Sequence, residues 1–218
     1  MGIKTNNSLL SAILDLKKIE AVNRPIQKAH GLPNECYTSN EYLKIERDKI
    51  FLNKWSVIGV GSSIPNIGDA KPYELLGIPL IMIRGKDQKI RVFHNVCSHR
   101  GFRLLDKPCT LKNVLRCPYH SWVYDFNGSL IATPHIGGLN IHQVDNFDKS
   151  NSNLKKVRSK VWMDMIFVNL NKNEIEFDDY IKPLESRWSK FISKDDQHLI
   201  RHAKDYGYIK LNIKSNWK

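Results

Sequence analysis

The sequence predicts a mainly β protein with flanking helices, built around an antiparallel β-sandwich. Three observations carry that expectation. Between residues 54 and 171, short β-forming runs are cut at close intervals by Gly, Pro, Asn or Asp. Two pairs of those runs surround compact turn sequences. Helical periodicity is confined to the stretches before and after.

The elements follow in chain order. In "SLLSAILDLKKIEA" (8–21), Leu9, Ile13, Leu16 and Ile19 share one face and Ser8 stands as an N-cap, so an amphipathic helix is expected. "RPIQKAHGLP" interrupts it with two prolines and a glycine. "TSNEYLKIERDKIFLNKW" (38–55) predicts a second helix, capped by Ser39 or Asn40, with Leu43, Ile50 and Phe51 inward. "GIPLIMIRGKDQKIRVFHNV" predicts a hairpin turning at "GKDQ", and "SWVYDFNGSLIATP" another turning at Asn127-Gly128. "KVWMDMIFVNLN" (160–171) reads as one further buried strand. "FDDYIKPLESRWSKFI" predicts a helix kinked at Pro183. In "YIKLNIK", Ile209, Leu211 and Ile213 alternate with polar residues, the pattern of a half-buried strand. There is no internal repeat and no low-complexity segment.

At 218 residues the chain is long enough for one large or two small domains. No apolar run reaches the roughly 18 residues that a membrane span needs. The first residues are broken by Asp15, Lys17, Lys18 and Glu20, unlike a secretory signal, and Asn6 spoils a myristoylation pattern. A cytoplasmic location is expected, where structural disulfides are rare. The net charge of +12 invites a nucleic-acid reading, but its cations are 24 Lys and 10 Arg scattered along the chain. Base and phosphate recognition favours Arg, so no nucleic-acid partner is expected. The local run "LKKVRSK" (154–160) reads as a solvated strand or loop.

One stretch carries chemistry: "CSHRGFRLLDKPCTLKNVLRCPYH" (97–120). Cys97 and His99 form one close pair, Cys117 and His120 another, seventeen residues apart. A disulfide gives the histidines no purpose, and Cys36 lies far off in a helical segment. Zinc is a serious alternative, because two Cys and two His satisfy a tetrahedral site. Zinc modules, however, group Cys with Cys and His with His, whereas here each pair holds one of each. That interleaving suits a binuclear Rieske [2Fe–2S] centre, in which two thiolates hold one iron and two imidazoles the other. On that reading Cys97, His99, Cys117 and His120 are both the metal ligands and the cofactor-binding residues.

C-x-H, seventeen residues, then C-x-x-H resembles the signature of the Rieske non-haem iron oxygenase α subunits, the aromatic ring-hydroxylating dioxygenase large-subunit family. "NVCSHRG" (95–101) and "CPYHSWVYDFNG" (117–128) are similar to the family's two boxes. "YTSNEYLKIERDKIFLNKWSVIG" resembles its lead-in, and "IFVNL" (166–170) its closing strand. Respiratory-chain Rieske proteins resemble C-T-H-x-G-C and C-P-C-H-G-S, whose extra cysteines form a disulfide. Phe102 and Tyr119 stand at those places and Trp122 at that of the serine, so the oxygenase or soluble ferredoxin type is implied. Cys109 reads as a small buried or half-exposed filler. Arg100 is a candidate partner for a carboxylate, Trp122 for packing beneath the second loop, and Pro134 for a third covering loop. His94, His135 and His142 read as surface residues.

The resemblance implies a division into a helical lead-in (1–53), a Rieske domain (54–171) and the beginning of a truncated α+β catalytic domain (172–218). It implies a reductase or ferredoxin electron donor, a homotrimer at full length, O2, and an aromatic or amine substrate. A mononuclear Fe(II) is expected only in a C-terminal part missing here. The chain offers one candidate for it, "HLIRHAKD", with His198, His202 and Asp205. Helical spacing would place both histidines on one face, but a strand would set them about 13 Å apart. No catalytic residue is assigned. The alternative function is a stand-alone Rieske-type ferredoxin. A basic surface would steer an acidic redox partner in either case.

Overall fold

The computed structural model describes residues 15–171 and 174–189. The expected N-cap at Ser8, the "HLIRHAKD" cluster and the "YIKLNIK" strand lie outside the described residues. The chain divides into two compact units, 1–54 and 55–218.

The first unit is helical. Helix α1 (Leu16–Val22) is capped by Asp15, whose Oδ1 accepts from the Lys17 amide at 2.9 Å. Helix α2 (Glu35–Thr38) leads into α3 (Asn40–Glu46), capped by Ser39 through a 3.1 Å bond from the Tyr42 amide. A π-helical turn then runs from Arg47 to Phe51. The inward assignment of Leu43, Ile50 and Phe51 fails: they are 46%, 49% and 37% exposed. The π turn inserts an extra residue per turn, so the 3.6-residue repeat begun in α3 no longer projects onto Ile50 and Phe51.

The second unit is an all-antiparallel β domain. Its strands are β1 (Ser56–Val60), β2 (Asp69–Leu75), β3 (Ile78–Arg84), β4 (Ile90–His94), β5 (Cys109–Thr110), β6 (Leu115–Arg116), β7 (Val123–Tyr124), β8 (Leu130–Ala132), β9 (Lys156–Trp162) and β10 (Met165–Asn169). Seven form one sheet in the order β1-β10-β9-β4-β3-β2-β5, and three form a second, β6-β7-β8.

Strand β3 explains why the core has two halves. Its apolar run does not alternate, and Leu80 through Ile83 are all fully buried. Such a run suits a central strand covered on both faces. Ile81 and Ile83, with Phe93 of β4, pack toward Leu115, Trp122 and Tyr124 of the small-sheet side. Leu80 and Met82, with Val92, pack the other way onto Ile58, Ile166 and Val168. A third cluster seats helix α4 (Phe177–Trp188) through Phe177 and Ile181 on Trp55 and Phe167. Pro183 lies inside that helix without ending it.

Both expected hairpins are present, as β3–β4 and β7–β8. At the second, the turn differs in kind from a two-residue Asn-Gly turn. Only Gly128 has positive φ (+88°), and the Asp125 amide bonds Ser129 O, the mark of a longer loop closed by a left-handed glycine. A Cβ at Gly128 would collide with the Phe93 ring, so only glycine fits. The single strand expected over 160–171 is instead the end of β9, a two-residue turn and β10. Met163 and Asp164 both take positive φ (47° and 64°), although Met163 is not a usual residue for that turn.

Candidate metal centre

The two Cys/His pairs sit on loops that follow β4 and β6, and the loops close in the same way. In the first, the Cys97 amide bonds Phe102 O at 2.8 Å, and the Gly101 amide bonds Cys97 O at 3.0 Å. In the second, the Cys117 amide bonds Trp122 O at 2.8 Å, and the Ser121 amide bonds Cys117 O at 3.1 Å. The residue four beyond each cysteine is left-handed: Gly101 at φ +70°, Ser121 at φ +58°. Two different spacings, C-x-H and C-x-x-H, therefore ride on one backbone form.

These loops segregate sulfur from nitrogen. Cys97 and Cys117 are each 2% exposed, inside the core with Trp122 and Tyr124. His99 and His120 stand further out, their ring centroids 4.8 Å apart, on a cleft of about 560 Å³. Pro134, His135 and Ile136 of a third loop border the same cleft. His120 Nδ1 is buried and has no hydrogen-bond partner among the described residues. A bare buried nitrogen is costly, and metal coordination would satisfy it. Among the described residues, no three Cys, His, Asp or Glu converge as on a single metal ion.

The electrostatics follow the same division. Burial pushes the Cys117 thiol up, and the backbone amides of Tyr119 and His120 oppose it by favouring the thiolate. His99 is held below its ordinary value by burial, then by His120 and Arg100 nearby, which favours the neutral imidazole that a metal requires. Tyr124, fully buried, has its hydroxyl 3.2 Å from Cys97 Sγ and accepts the Ser98 amide at 3.2 Å. Burial, then Cys97, drives the Tyr124 phenol well above its usual value. Its part escapes sequence reading, because 27 residues separate it from Cys97. Asn95 is also missed: its buried Oδ1 accepts from the amides of Leu104 (3.2 Å) and Leu105 (3.0 Å), fastening the far end of the first loop.

Other expected roles change. Trp122, buried in the same cluster as Cys117, also lies flat against His99, at 4.5 Å and 14°, and so backs the first loop's imidazole. Arg100 is exposed and enters no ion pair among the described residues. Of the two settings expected for Cys109, buried or half-exposed, the buried one fails: it is exposed on edge strand β5. His135 and His142 are exposed, as expected, and brace the third loop: His142 Nδ1 accepts the His135 amide at 3.2 Å, and His135 Nδ1 accepts the Asn140 amide at 2.9 Å. His94 does not line the cleft.

Residues 54–147 match the Rieske [2Fe-2S] domain family. The carnitine monooxygenase oxygenase subunit of Acinetobacter pittii (strain PHEA-2) is 30% identical over 190 residues, which cover 87% of this chain and 48% of that protein. The glycine betaine monooxygenase oxygenase subunit of Pseudomonas aeruginosa (strain UCBPP-PA14) is 32% identical over 71% of this chain and 35% of its own length. The solved apo form of a quaternary ammonium Rieske monooxygenase superposes with a TM-score of 0.63 at 31% identity, covering 73% of this chain and 45% of that one. The chain thus spans less than half the length of these relatives. Its β domain is a Rieske domain, whose cofactor is a [2Fe–2S] cluster, and no helix among the described residues is long and apolar enough to cross a membrane. The chain belongs to the Rieske oxygenase α-subunit family.

Proposed function

We propose that this chain is the electron-accepting portion of a Rieske oxygenase α subunit, with Cys97 and Cys117 holding one iron and His99 and His120 the other. The observation that carries this reading is the pair of like-closed loops, each offering one buried thiol and one imidazole toward a common cleft. The bound cluster supplies one-electron transfer, between a donor and a mononuclear Fe(II) that activates O2. The chain's own residues set its electrochemistry. Neutral imidazoles leave less negative charge than thiolates would and raise the potential. The buried sulfurs receive the Tyr119 and His120 amides and the Tyr124 hydroxyl, which favour added negative charge.

In this reading residues 1–53 form a helical lead-in, 54–171 the electron-accepting domain and 172–218 the beginning of the catalytic domain. The partners are a reductase or ferredoxin donor and further copies of the subunit in a homotrimer, in the cytoplasm. The substrate is a small molecule oxidised with O2. Relatives named for carnitine and glycine betaine support an amine, quaternary ammonium above all, over an aromatic ring. A stand-alone ferredoxin accounts less well for similarity to oxygenase subunits over 87% of the chain.

Anaerobic reconstitution of the full chain with iron and sulfide tests the assignment. Equal iron and acid-labile sulfide, with an EPR signal after dithionite, are expected. Nitrogen couplings in that signal should diminish in His99→Cys and His120→Cys. A colourless, EPR-silent preparation that binds one zinc ends the reading.

A further inference from the structure

We infer that Phe102 and Tyr119 form an aromatic clasp, which positions the tip of the first loop against the tip of the second and shields the imidazole side of the cluster. The inference rests on the ligand assignment proposed above. Phe102 ends the first loop and Tyr119 sits between Cys117 and His120 in the second. Their rings stack across the gap, with centroids 5.3 Å apart and planes at 27°. Tyr119 in turn lies against His120, its ring centroid 3.7 Å away.

Among the described residues, ring contacts alone tie the two tips together at this edge. Each loop is closed by hydrogen bonds to itself. At the base, Tyr124 fastens the first loop through Cys97 and Ser98. Among the described residues, no hydrogen bond runs between 98–103 and 118–121. What crosses there is rings: Phe102 on Tyr119, His99 on His120, and His99 on Trp122.

Phe102 and Tyr119 are 44% and 52% exposed, on a surface that also carries Arg100, Arg103 and Arg116. Two half-exposed rings contribute little to the core, so truncating either leaves the fold standing. Their stacking energy acts instead on the separation of the loops. An open tip would admit water and chelators to His120, whose Nδ1 is otherwise buried. Water would also favour the reduced cluster, the more negatively charged form, and so raise the potential.

The test compares the reconstituted full chain with Phe102→Ala, Tyr119→Ala, the double variant and Tyr119→Phe. Iron release to a chelator should be roughly three- to tenfold faster in either alanine variant, the range an aromatic pair commands. The midpoint potential should move upward. The double variant should be no worse than the worse single one, because one contact is lost in each. Tyr119→Phe, which keeps the ring, should behave as the parent. The melting temperature of the metal-free protein should fall by no more than a few degrees in the alanine variants and hold in Tyr119→Phe, and a merely structural role would leave the potential where it is. Unchanged release and potential in Phe102→Ala, or strictly additive effects, overturn the clasp while leaving the ligand assignment intact. A parent protein that takes up no cluster overturns both.

Discussion

The Tyr124 hydroxyl lies 3.2 Å from Cys97 Sγ and also accepts the Ser98 amide. Because it accepts from that amide, its own proton is free to point at the sulfur. With Cys97 as a ligand, reduction builds negative charge on that sulfur, and the donor stabilises the reduced state. Tyr124→Phe removes one hydrogen bond and no ring, so packing is kept. A bond of about 1 kcal/mol corresponds to roughly 40 mV for a one-electron couple, and the midpoint potential should fall by that order. A redox titration followed by EPR reads it, and an unchanged potential would mean that the hydroxyl does not donate to the sulfur.

The like closure of the two loops makes a reciprocal prediction. Ser121 and Gly101 occupy the same left-handed position, at φ +58° and +70°. For a residue with a Cβ that conformation costs roughly 1–2 kcal/mol, partly offset by glycine's greater freedom when unfolded. Ser121→Gly should raise stability by up to about 1 kcal/mol. Gly101→Ser should lower it by a similar amount, and for conformation alone, because a Cβ at Gly101 meets nothing within 4 Å. Denaturant unfolding of both variants decides the matter; effects of the same sign would show that the loops are not equivalent.

Asn95 is 1% exposed and joins strand β4 to the end of the first loop through Leu104 and Leu105. Asn95→Ala would strand two amides and a carbonyl in the core at once. The expected loss is about 2–4 kcal/mol, a fall in melting temperature of several degrees. Asn95→Asp keeps the acceptor but sets a carboxylate against the Leu105 carbonyl, and should be no milder. Thermal unfolding measures both, and a loss below about 0.5 kcal/mol would place the loop's anchor elsewhere.

What the sequence makes legible here is whatever is local. The run "IPLIMI" is a central strand because the absence of alternation itself reports two covered faces. The Cys and His positions stand out as a group because their spacing is short-range. What stays hidden depends on contact or on an exception. Tyr124 gains its part only when β7 comes under the first loop. Phe102 and Tyr119 meet only when two loops close alike. The Met163–Asp164 turn carries neither Gly nor Asn, and its left-handed backbone is held by Asp164, which accepts the Ser62 amide at 3.0 Å through Oδ2. The π turn at Arg47–Phe51 shifts a helical register that the apolar spacing alone would continue.

Asp69 gives a dependence on pH whose sign follows from its partners. Its carboxylate joins β2 to β5, accepting the Thr110 hydroxyl at 2.6 Å and the Asn66 amide at 2.8 Å. The Thr110 hydroxyl, then the Asn66 amide, hold its pKa below the ordinary carboxylate value against the opposing effect of burial, with Arg84 adding a smaller pull. The unfolded chain therefore takes up this proton at a higher pH than the folded one does. The contribution is fully present above the unfolded value of about 3.9 and is lost as pH falls through the folded value. In the metal-free protein, where cluster loss cannot intervene, stability measured from pH 6 down to pH 3 should fall more steeply for the parent than for Asp69→Asn. The variant, unable to ionise there, should start lower near neutrality, and the two curves should converge in acid. Parallel curves would mean that the Asp69 charge does not contribute to holding β2 against β5.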